Sequence, residues 1–407
     1  MTLHADKTAA PFTLAIEYGE DLMDIHFRMH ITKAALIVAA CSMLGISCAT
    51  PQQQQAKKQA QVKAALFVDE GSYGNGMRHW IRLLEYSPQI QLDFIDGKAI
   101  REGGLKDFDL VVFPGGYAPT QYESLQEEGA AAVREFVQNG GSYLGICAGF
   151  ACALNAPKRI RLLPFGRKPN AGGRSAMLAV DISEKGGKVL DVAPGRYLVP
   201  FQAGPIPCPG EKPGEGWGEG LAVYKSVVSR IDNPEPNFFG EYAILHGQFG
   251  KGKVIAIGCH PESYESTQCI ALGAVYAVTG VKPIPCYPAK KPHPLHVGFH
   301  ALDSSLPGIR QMLELDRNPE IDVMLISSQK IDEGILNHLD VLFMTNAPEE
   351  TYAKIMDNPL RASQFSRFLE QGGRIVTFAN AAKALPKHRN VRLIDNDNAM
   401  EKAIFGR

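Results

Sequence analysis

Short apolar runs alternate with amphipathic stretches from Lys63 onward. The runs have the length expected of buried parallel strands, and they occupy 63–69, 90–96, 108–116 and 142–149. The stretch after the first run has apolar residues at helical spacing, namely Met77, Trp80, Ile81 and Leu84. A further helix is predicted over 124–141, because Gly140 and Gly141 provide a C-terminal stop. Strands that alternate with helices in this way predict an α/β fold with helices on both faces of a parallel sheet.

The pattern changes over residues 157–235, which are rich in Gly and Pro. Short runs such as 176–182 and 197–201 interrupt longer polar stretches. This pattern predicts a β-rich insertion with long loops.

The α/β alternation returns at 241–262, where Gly250-Lys251-Gly252 predicts a hairpin turn between two strands. A helix over 264–278 follows, and then a Pro-rich linker over 281–294. We therefore expect the first domain to span 63–280.

The last part of the chain, 295–407, looks like a partial copy of the first. Residues 90–109 align without a gap on 321–340 at a constant offset of 231. A second stretch aligns at an offset of 232 and pairs 136–149 with 368–381. The gapless alignment and a shared Phe-x-x-x-Gly-Gly favour duplication over a chance likeness between two α/β segments.

The copy differs from the first half where chemistry would be expected. Ala379 stands at the position of Cys147, and Thr345-Asn346 stands at the position of Pro114-Gly115. We therefore interpret 295–407 as a degenerate α/β copy that keeps the scaffold and lacks the reactive residues.

The N-terminus is predicted to be a targeting segment and not part of the fold. Residues 29–49 include an apolar run at 34–47 that has the length of a signal-peptide core, and residues 50–62 form a Gln-rich tether. Residues 1–28 have no role in this interpretation, and we expect them to be a non-native extension.

Two alternatives stay open for the processing of this segment. Val38-Ala39-Ala40-Cys41 fits a lipoprotein signal, and Cys48 is better placed for length although Gly45 stands where a larger apolar residue is wanted. Plain cleavage near 47–49 is the other alternative. We expect export, either to the periplasm or to a membrane through an N-terminal lipid, whereas an apolar run that is only a helix would mean a cytoplasmic protein.

The composition of the chain limits the kinds of ligand and partner that we expect it to bind. The chain has 407 residues, enough for two or three domains, and its 42 Lys and Arg residues nearly balance its 43 Asp and Glu residues. We therefore expect no nucleic-acid partner. The sequence has no CxxC motif and no His/Cys cluster with zinc spacing, so we predict no metal and no cofactor. In an oxidising compartment, Cys208 with Cys286 is one disulfide to test.

The strongest chemical motif is Gly145-Ile146-Cys147-Ala148-Gly149, a G-x-C-x-G sequence at a predicted strand-to-helix turn. Small neighbours allow a strained turn that exposes a nucleophile, and a nearby helix N-terminus favours a thiolate. A small buried cysteine after a core strand is the alternative.

Two further motifs follow strand ends. Gly115 and Gly116 precede Tyr117 after the third strand, where backbone N–H groups could hold an oxyanion, and an ordinary Gly turn is the alternative. His260 and Glu262 follow the strand VIAIG, where His260 could take a thiol proton and Glu262 could orient the imidazole. The alternative is a surface histidine beside a helix-capping acid.

In this order the three motifs resemble the class I glutamine amidotransferase-like superfamily. The detail is most similar to the family named for the N-terminal domain of fungal biotin–protein ligase, through FPGGYAPTQYESL, YLGICAGFACAL and FGKGKVIAIGCHPES. The likeness covers about 63–280, and Tyr197 and 202–205 correspond to a family loop near the pocket.

The resemblance implies a flavodoxin-like sandwich with Cys147 as nucleophile, His260 as base and Glu262 as its orienting partner. It also implies an oxyanion site or pocket made by Gly115, Gly116, Tyr117 and Ala148.

The leading hypothesis is an exported cysteine hydrolase or amidase that acts on a small-molecule or peptide-like substrate. No synthetase region is evident, so we expect no synthetase partner to receive ammonia. The competing hypothesis is a non-catalytic binding or scaffold protein that retains the fold.

Overall fold

Two large sheets, each with a series of parallel strands and accompanying helices, form most of the described part of the chain, and a two-stranded sheet lies beside the first. The computed structural model describes residues 61–72, 75–168, 175–209, 217–226, 238–300, 306–347, 349–395 and 399–406. The expected extension, the targeting segment and nearly all of the tether lie outside these ranges, so those statements stay predictions. Within these ranges, no helix has the length and apolar character needed to cross a membrane.

The first half contains eleven strands and six helices within the described ranges. In chain order they are β1 Val62–Phe67, α1 Asn75–Glu85, β2 Ile90–Ile95, α2 Gly97–Arg101, β3 Leu110–Phe113, α3 Ala118–Gln138, β4 Ser142–Ile146, α4 Ala148–Ala153, β5 Phe165–Arg167, β6 Ser175–Ile182, α5 Glu184–Leu190, β7 Gly195–Gln202, β8 Pro207–Pro209, β9 Trp217–Tyr224, β10 Tyr242–Phe249, β11 Gly252–Ile257 and α6 Gln268–Thr279.

The main sheet has nine strands in the order β2-β1-β3-β4-β11-β10-β9-β6-β7. The first five strands pair in parallel, and β10 then pairs antiparallel with β11. The order of the parallel part is that of a flavodoxin-like fold, so the predicted fold class is confirmed. The carboxyl ends of β3, β4 and β11 consequently meet at one edge of the sheet, where such folds place their sites.

The predicted β-rich insertion contains β5 to β9. Strands β6, β7 and β9 continue the main sheet in antiparallel pairing, whereas β5 pairs with β8 in a separate two-stranded sheet. The predicted hairpin turn is also present, because β10 and β11 are joined through Gly250, whose φ is 57°, with Phe249 opposite Gly252.

Two helices begin at residues other than those predicted. Helix α3 starts at Ala118 and not at 124, because Pro119 suits the first turn of a helix, where a missing N–H costs no hydrogen bond. The helix has a kink at Gln126, whose dihedral angles are not helical, so it consists of two helical segments. Helix α6 starts at Gln268 and not at 264, because two short 3-10 turns come first.

The second half repeats the parallel arrangement. Its elements are β12 Leu295–His300, α7 Leu306–Arg317, β13 Ile321–Leu325, α8 Ser328–Asp332, β14 Val341–Met344, α9 Glu349–Met356, α10 Pro359–Glu370, β15 Arg374–Phe378, α11 Ala379–Ala382, β16 Val391–Ile394 and α12 Met400–Phe405. Its sheet has the order β13-β12-β14-β15-β16, and all of these pairs are parallel. This is the order of the parallel part of the first sheet.

Backbone contacts also correspond between the halves. An Asp109 carboxylate oxygen accepts the Lys63 N–H at 2.8 Å, and an Asp340 carboxylate oxygen accepts the His296 N–H at 2.8 Å. Both acids follow a 3-10 turn that begins after a glycine with left-handed backbone, and these glycines are Gly103 and Gly334, with φ of 83° and 89°. A duplicated unit would retain such contacts, but the duplication itself stays a prediction.

Helix α1 connects the cores of the two halves. Its buried side chains share one apolar cluster with residues of β12 and α7. Arg82 of α1 donates hydrogen bonds of 2.9 and 3.1 Å to Asp316 of α7, whose side chain has no exposed surface. Arg317 of α7 forms a further ion pair of 2.7 Å with Glu85. The second half therefore packs on the helix that follows β1.

Candidate active site

Cys147 lies in a sharp turn between β4 and α4. Its φ of 51° and ψ of −98° form a strained conformation for a residue with a side chain. Its N–H donates to the Ile257 carbonyl at 2.7 Å, which ties the turn to the end of β11. A Cβ atom on Gly149 would lie 2.2 Å from the Phe113 carbonyl oxygen, and one on Gly145 would lie 2.5 Å from the Gly149 carbonyl oxygen. The motif therefore needs both glycines for close packing.

His260 and Glu262 follow β11 and converge on Cys147. The Nδ1 atom of His260 lies 2.8 Å from Oε1 of Glu262, and the Cys147 side chain is close enough to the imidazole to help raise its pKa. The His260 N–H donates to the Pro200 carbonyl at 2.7 Å, so β7 fixes the position of this backbone. His260 is 9% exposed and Glu262 is fully buried. The structure thus brings the three predicted catalytic residues together.

The charge of Glu262 acts directly on His260. Burial disfavours the protonated imidazole, but the Glu262 carboxylate and the hydrogen bonds to Cys147 and Glu262 outweigh it and raise the pKa of His260 well above 6.5. The imidazolium is therefore favoured at neutral pH, where it can stabilise a neighbouring thiolate.

Two glycines make room for the imidazole. A Cβ atom on Gly115 would lie 2.8 Å from Cε1 of His260 and 3.6 Å from Cβ of Cys147. A Cβ atom on Gly76 would lie 2.6 Å from Oε1 of Glu262 and 3.0 Å from Nδ1 of His260. The backbone at both positions approaches the three residues more closely than a side chain would permit.

The four predicted oxyanion or pocket residues have different surroundings. Gly116 lines the pocket with a φ of 147°, and Ala148 lines it as the first residue of α4, where amides have no intrahelical acceptor. Tyr117 also lines the pocket, but its N–H already donates to the Gly71 carbonyl at 2.7 Å. Gly115 packs against the imidazole. Gly116 and Ala148 are therefore the better candidates for amide donors.

Cys147 borders a pocket of about 530 Å³. The predicted loop after β7 contributes Gln202, Ala203 and Pro205, and the Gln202 carbonyl accepts a hydrogen bond from the Cys147 thiol at 3.5 Å. Tyr197, which the resemblance placed near the pocket, instead donates its hydroxyl to the Ala193 carbonyl at 2.8 Å. The pocket walls include residues of both halves, and those from the second half are Leu325, Ser327 and Lys330.

Four basic residues of the pocket could not be predicted from the sequence: His79, Arg159, Arg167 and Lys330. The two arginines lie in or beside the Gly- and Pro-rich insertion, and Lys330 lies 183 residues after Cys147 in the chain. No local motif marks them. The helical spacing of α1 placed the neighbours of His79 in the core and gave no signal that His79 faces the site.

His79 is neutral over most of the pH range. Burial, and then the nearby charges of Lys330, Arg82 and His260, lower its pKa from 6.5 to about 3. An uncharged imidazole beside the His260 imidazolium avoids placing two buried cations together.

Two cysteines near the site, Cys152 and Cys259, are buried and remain protonated thiols. Burial raises the pKa of Cys152 to about 12 and raises the pKa of Cys259 as well, so both favour the neutral thiol. Cys286 carries a free thiol, so the suggested disulfide with Cys208 is wrong. Among the described residues, no group of three or more His, Cys, Asp or Glu side chains is placed to hold a metal ion.

Comparison with known proteins locates the resemblance in the first half. Residues 65–156 match the family model described as biotin–protein ligase, N terminal. This range includes the Gly-Gly loop and Cys147 and ends before His260 and Glu262. The phosphoribosylformylglycinamidine synthase subunit PurQ of Symbiobacterium thermophilum is 31% identical in an alignment of 135 positions that covers 28% of this chain. The chain spans only 53% of the length of that relative.

Two solved structures are distantly similar to this chain. PurLQS from Thermotoga maritima is 16% identical with a TM-score of 0.39, and the match covers 53% of this chain and 98% of that chain. A glutamine amidotransferase is 21% identical with a TM-score of 0.36, and the match covers 54% of this chain and 99% of that chain. The first half of the chain is therefore similar to class I glutamine amidotransferase-like proteins, and residues 65–156 resemble the biotin–protein ligase N-terminal family.

Proposed function

We propose that the protein is a cysteine-dependent hydrolase that cleaves an amide bond in a small-molecule or peptide-like substrate. The observation that carries this proposal is the chain of contacts from Cys147 through His260 to Glu262, with 2.8 Å between Nδ1 and Oε1. This leaves Nε2 of His260 for the thiol. Cys147 also has the backbone conformation of a nucleophile elbow and borders a pocket large enough for a small molecule.

In the proposed reaction, His260 already holds the proton of the Cys147 thiol as an imidazolium, and the Cys147 thiolate attacks the amide carbonyl. The carbonyl π electrons move to oxygen, and the N–H groups of Gly116 and Ala148 are the proposed donors to this oxyanion. When the tetrahedral intermediate collapses, the C–N bond breaks and His260 gives its proton to the leaving amine. Water then attacks the thioester while His260 accepts a proton, and the acid and the free thiol are released.

Glu262 is proposed to orient the imidazole and to stabilise its charge. A carboxylate on Nδ1 fixes the tautomer that presents Nε2 to the sulfur. Because Glu262 is fully buried, the surrounding side chains restrict its rotamers and keep its carboxylate beside His260.

The proposal is tested by alkylation and by substrate screening on the intact protein. Iodoacetamide labelling, read by mass spectrometry for each cysteine, should be faster at Cys147 than at the exposed Cys269. His260→Ala and Glu262→Gln should slow labelling at Cys147 and leave Cys269 unchanged. An amidase activity found with a panel of N-acyl amino acids and short peptides should disappear in Cys147→Ala and persist in Cys269→Ala.

Labelling of Cys147 no faster than that of Cys269, and insensitive to His260→Ala, would contradict the hydrolase proposal. A protein that binds amides tightly but does not cleave them would point to the non-catalytic alternative.

We also propose that the protein is exported, because of the apolar run at 34–47 and the polar tether after it. Mass spectrometry of the protein from its native cells should find a new N-terminus near 41 or 48. A lipid-modified cysteine there would mean membrane attachment, and an uncleaved segment in the cytoplasmic fraction would overturn the export proposal.

A further inference from the structure

The pocket beside Cys147 has a cationic lining. Arg159, Arg167 and Lys330 contribute to its walls, and among the described residues no Asp or Glu does so. The lining combines two segments of the first half with α8 of the second half. A charge arrangement assembled from distant segments is a property of the folded pocket and not of one sequence motif.

Arg159 and Arg167 both line the pocket, and Arg159 is partly buried whereas Arg167, the last residue of β5, is more exposed. Partial burial, and then the charge of Arg159, lower the pKa of Arg167. The Tyr117 hydroxyl opposes this shift to a smaller extent, and in the described part of the chain no carboxylate does so. A guanidinium nonetheless stays charged at neutral pH. A bound anion would stabilise two neighbouring cations that have no acidic partner. An arginine side chain can bind a carboxylate through two parallel hydrogen bonds.

Lys330 provides the cation of the second half. Its Nζ lies 4.7 Å from the centroid of the Tyr264 ring, which also lines the pocket. Burial lowers the pKa of Lys330, and the charges of Glu333 and Glu265 oppose that shift. Because these acids partly offset its charge, Lys330 should attract an anion less strongly than the two arginines do.

We propose that this pocket selects substrates that carry a carboxylate near the scissile amide, and that Arg159, Arg167 and Lys330 determine this specificity. The inference rests on the proposed hydrolase function and adds the substrate class. A carboxylate that approaches a Cys147 thiolate would otherwise be repelled, and the three cations offset that repulsion. The second half thereby completes the substrate pocket of the first.

Two alkylating agents of nearly equal size test this charge selection without knowledge of the substrate. Iodoacetate carries a carboxylate and iodoacetamide is neutral. The ratio of their labelling rates at Cys147 should exceed the ratio at the exposed Cys269 by about tenfold at low salt and should fall as KCl is added.

Substitutions identify the residues responsible. Arg159→Gln and Arg167→Gln should each lower the rate ratio at Cys147 by about threefold or more, and Lys330→Gln should lower it less. Arg392→Gln on β16 is the matched control, since it removes one exposed positive charge away from the pocket and should leave the ratio unchanged.

The outcomes separate this inference from the function on which it rests. Fast iodoacetamide labelling of Cys147 with a rate ratio equal to that of Cys269, or a ratio unchanged in all three pocket variants, would overturn the charge selection and leave the hydrolase proposal standing. Failure of Cys147 to react faster than Cys269 with either reagent would overturn both.

Discussion

At the scale of single residues, Gly115 determines how closely the imidazole of His260 can approach the backbone beside Cys147. A methyl group at this position would lie 2.8 Å from Cε1 of His260, a contact that the rigid ring can relieve only by moving. The lack of a side chain at Gly115 therefore allows the alignment of His260 with Cys147.

We expect Gly115→Ala to slow iodoacetamide labelling of Cys147 by at least about tenfold, because a displacement of about 1 Å disrupts a catalytic hydrogen bond. The rate is measured by mass spectrometry as above. Gly218→Ala is the matched control, since its methyl group would lie 2.9 Å from the Phe165 ring, away from the pocket. Equal labelling rates in the two variants would show that Gly115 does not position His260.

The sequence was sufficient to predict the residues at the strand ends. Cys147, His260 and Glu262 each follow an apolar run at which a parallel sheet gathers its carboxyl ends, so their proximity follows from topology. Arg167 and Lys330 could not be predicted in the same way. Their position depends on how the insertion and the second half fold over that edge, and no local pattern encodes this packing.

At the scale of elements, the contact between α1 and α7 depends on one buried acid. Asp316 has no exposed surface and accepts hydrogen bonds from Arg82, with Lys290 3.8 Å away. Removing the acid leaves two cations near each other without their partner, and such a loss is more costly than the loss of a solvated pair.

We expect Asp316→Ala to lower the free energy of unfolding by about 3 kcal/mol, measured by urea denaturation at pH 7. Arg317→Gln provides a comparison within the same helix pair, because its ion pair with Glu85 is partly solvated and should contribute less than about 1 kcal/mol. Similar losses in the two variants would contradict the importance of burial at Asp316.

Some element boundaries were predictable and others were not. Gly250 and Lys251 marked the β10–β11 turn, because a glycine with positive φ is a strong local signal. The early start of α3 was missed, because Gln126 breaks the helical dihedral angles and separates the first turns from the regular pattern. The joining of β6, β7 and β9 to the main sheet was also missed, since strand pairing between distant segments leaves no periodic signal.

At the scale of the whole molecule, buried neutral histidines make the fold sensitive to acid. Burial, followed by the charges of Arg361 and Arg78, lowers the pKa of His300 to about 4, and the pKa of His79 is about 3. In the unfolded chain both would titrate near 6.5. Between these values the unfolded chain binds protons that the folded chain does not, so the free energy of unfolding falls as the pH falls from 6.5 toward 4.

We expect His300→Gln to reduce this loss. Each such histidine contributes a slope of about 1.4 kcal/mol per pH unit, so the variant should lose about 2 kcal/mol less than the unsubstituted protein between pH 7 and pH 5. Urea denaturation at the two pH values measures the difference. His338→Gln at an exposed site is the control, and an identical pH slope in both variants would exclude His300 as a source of acid sensitivity.

Helix α1 links the pocket to α7, and this link predicts where inactivating mutations should lie. Its 11 residues span about 16 Å, and its first turns place Gly76 and His79 in the pocket while its last turn holds Arg82 against Asp316. A straight helix transmits a displacement at one end to the other. A selection for loss of activity would therefore recover mutations in α7, far along the chain from Cys147, and a map of such mutations would follow this helix instead of the boundary between the two halves.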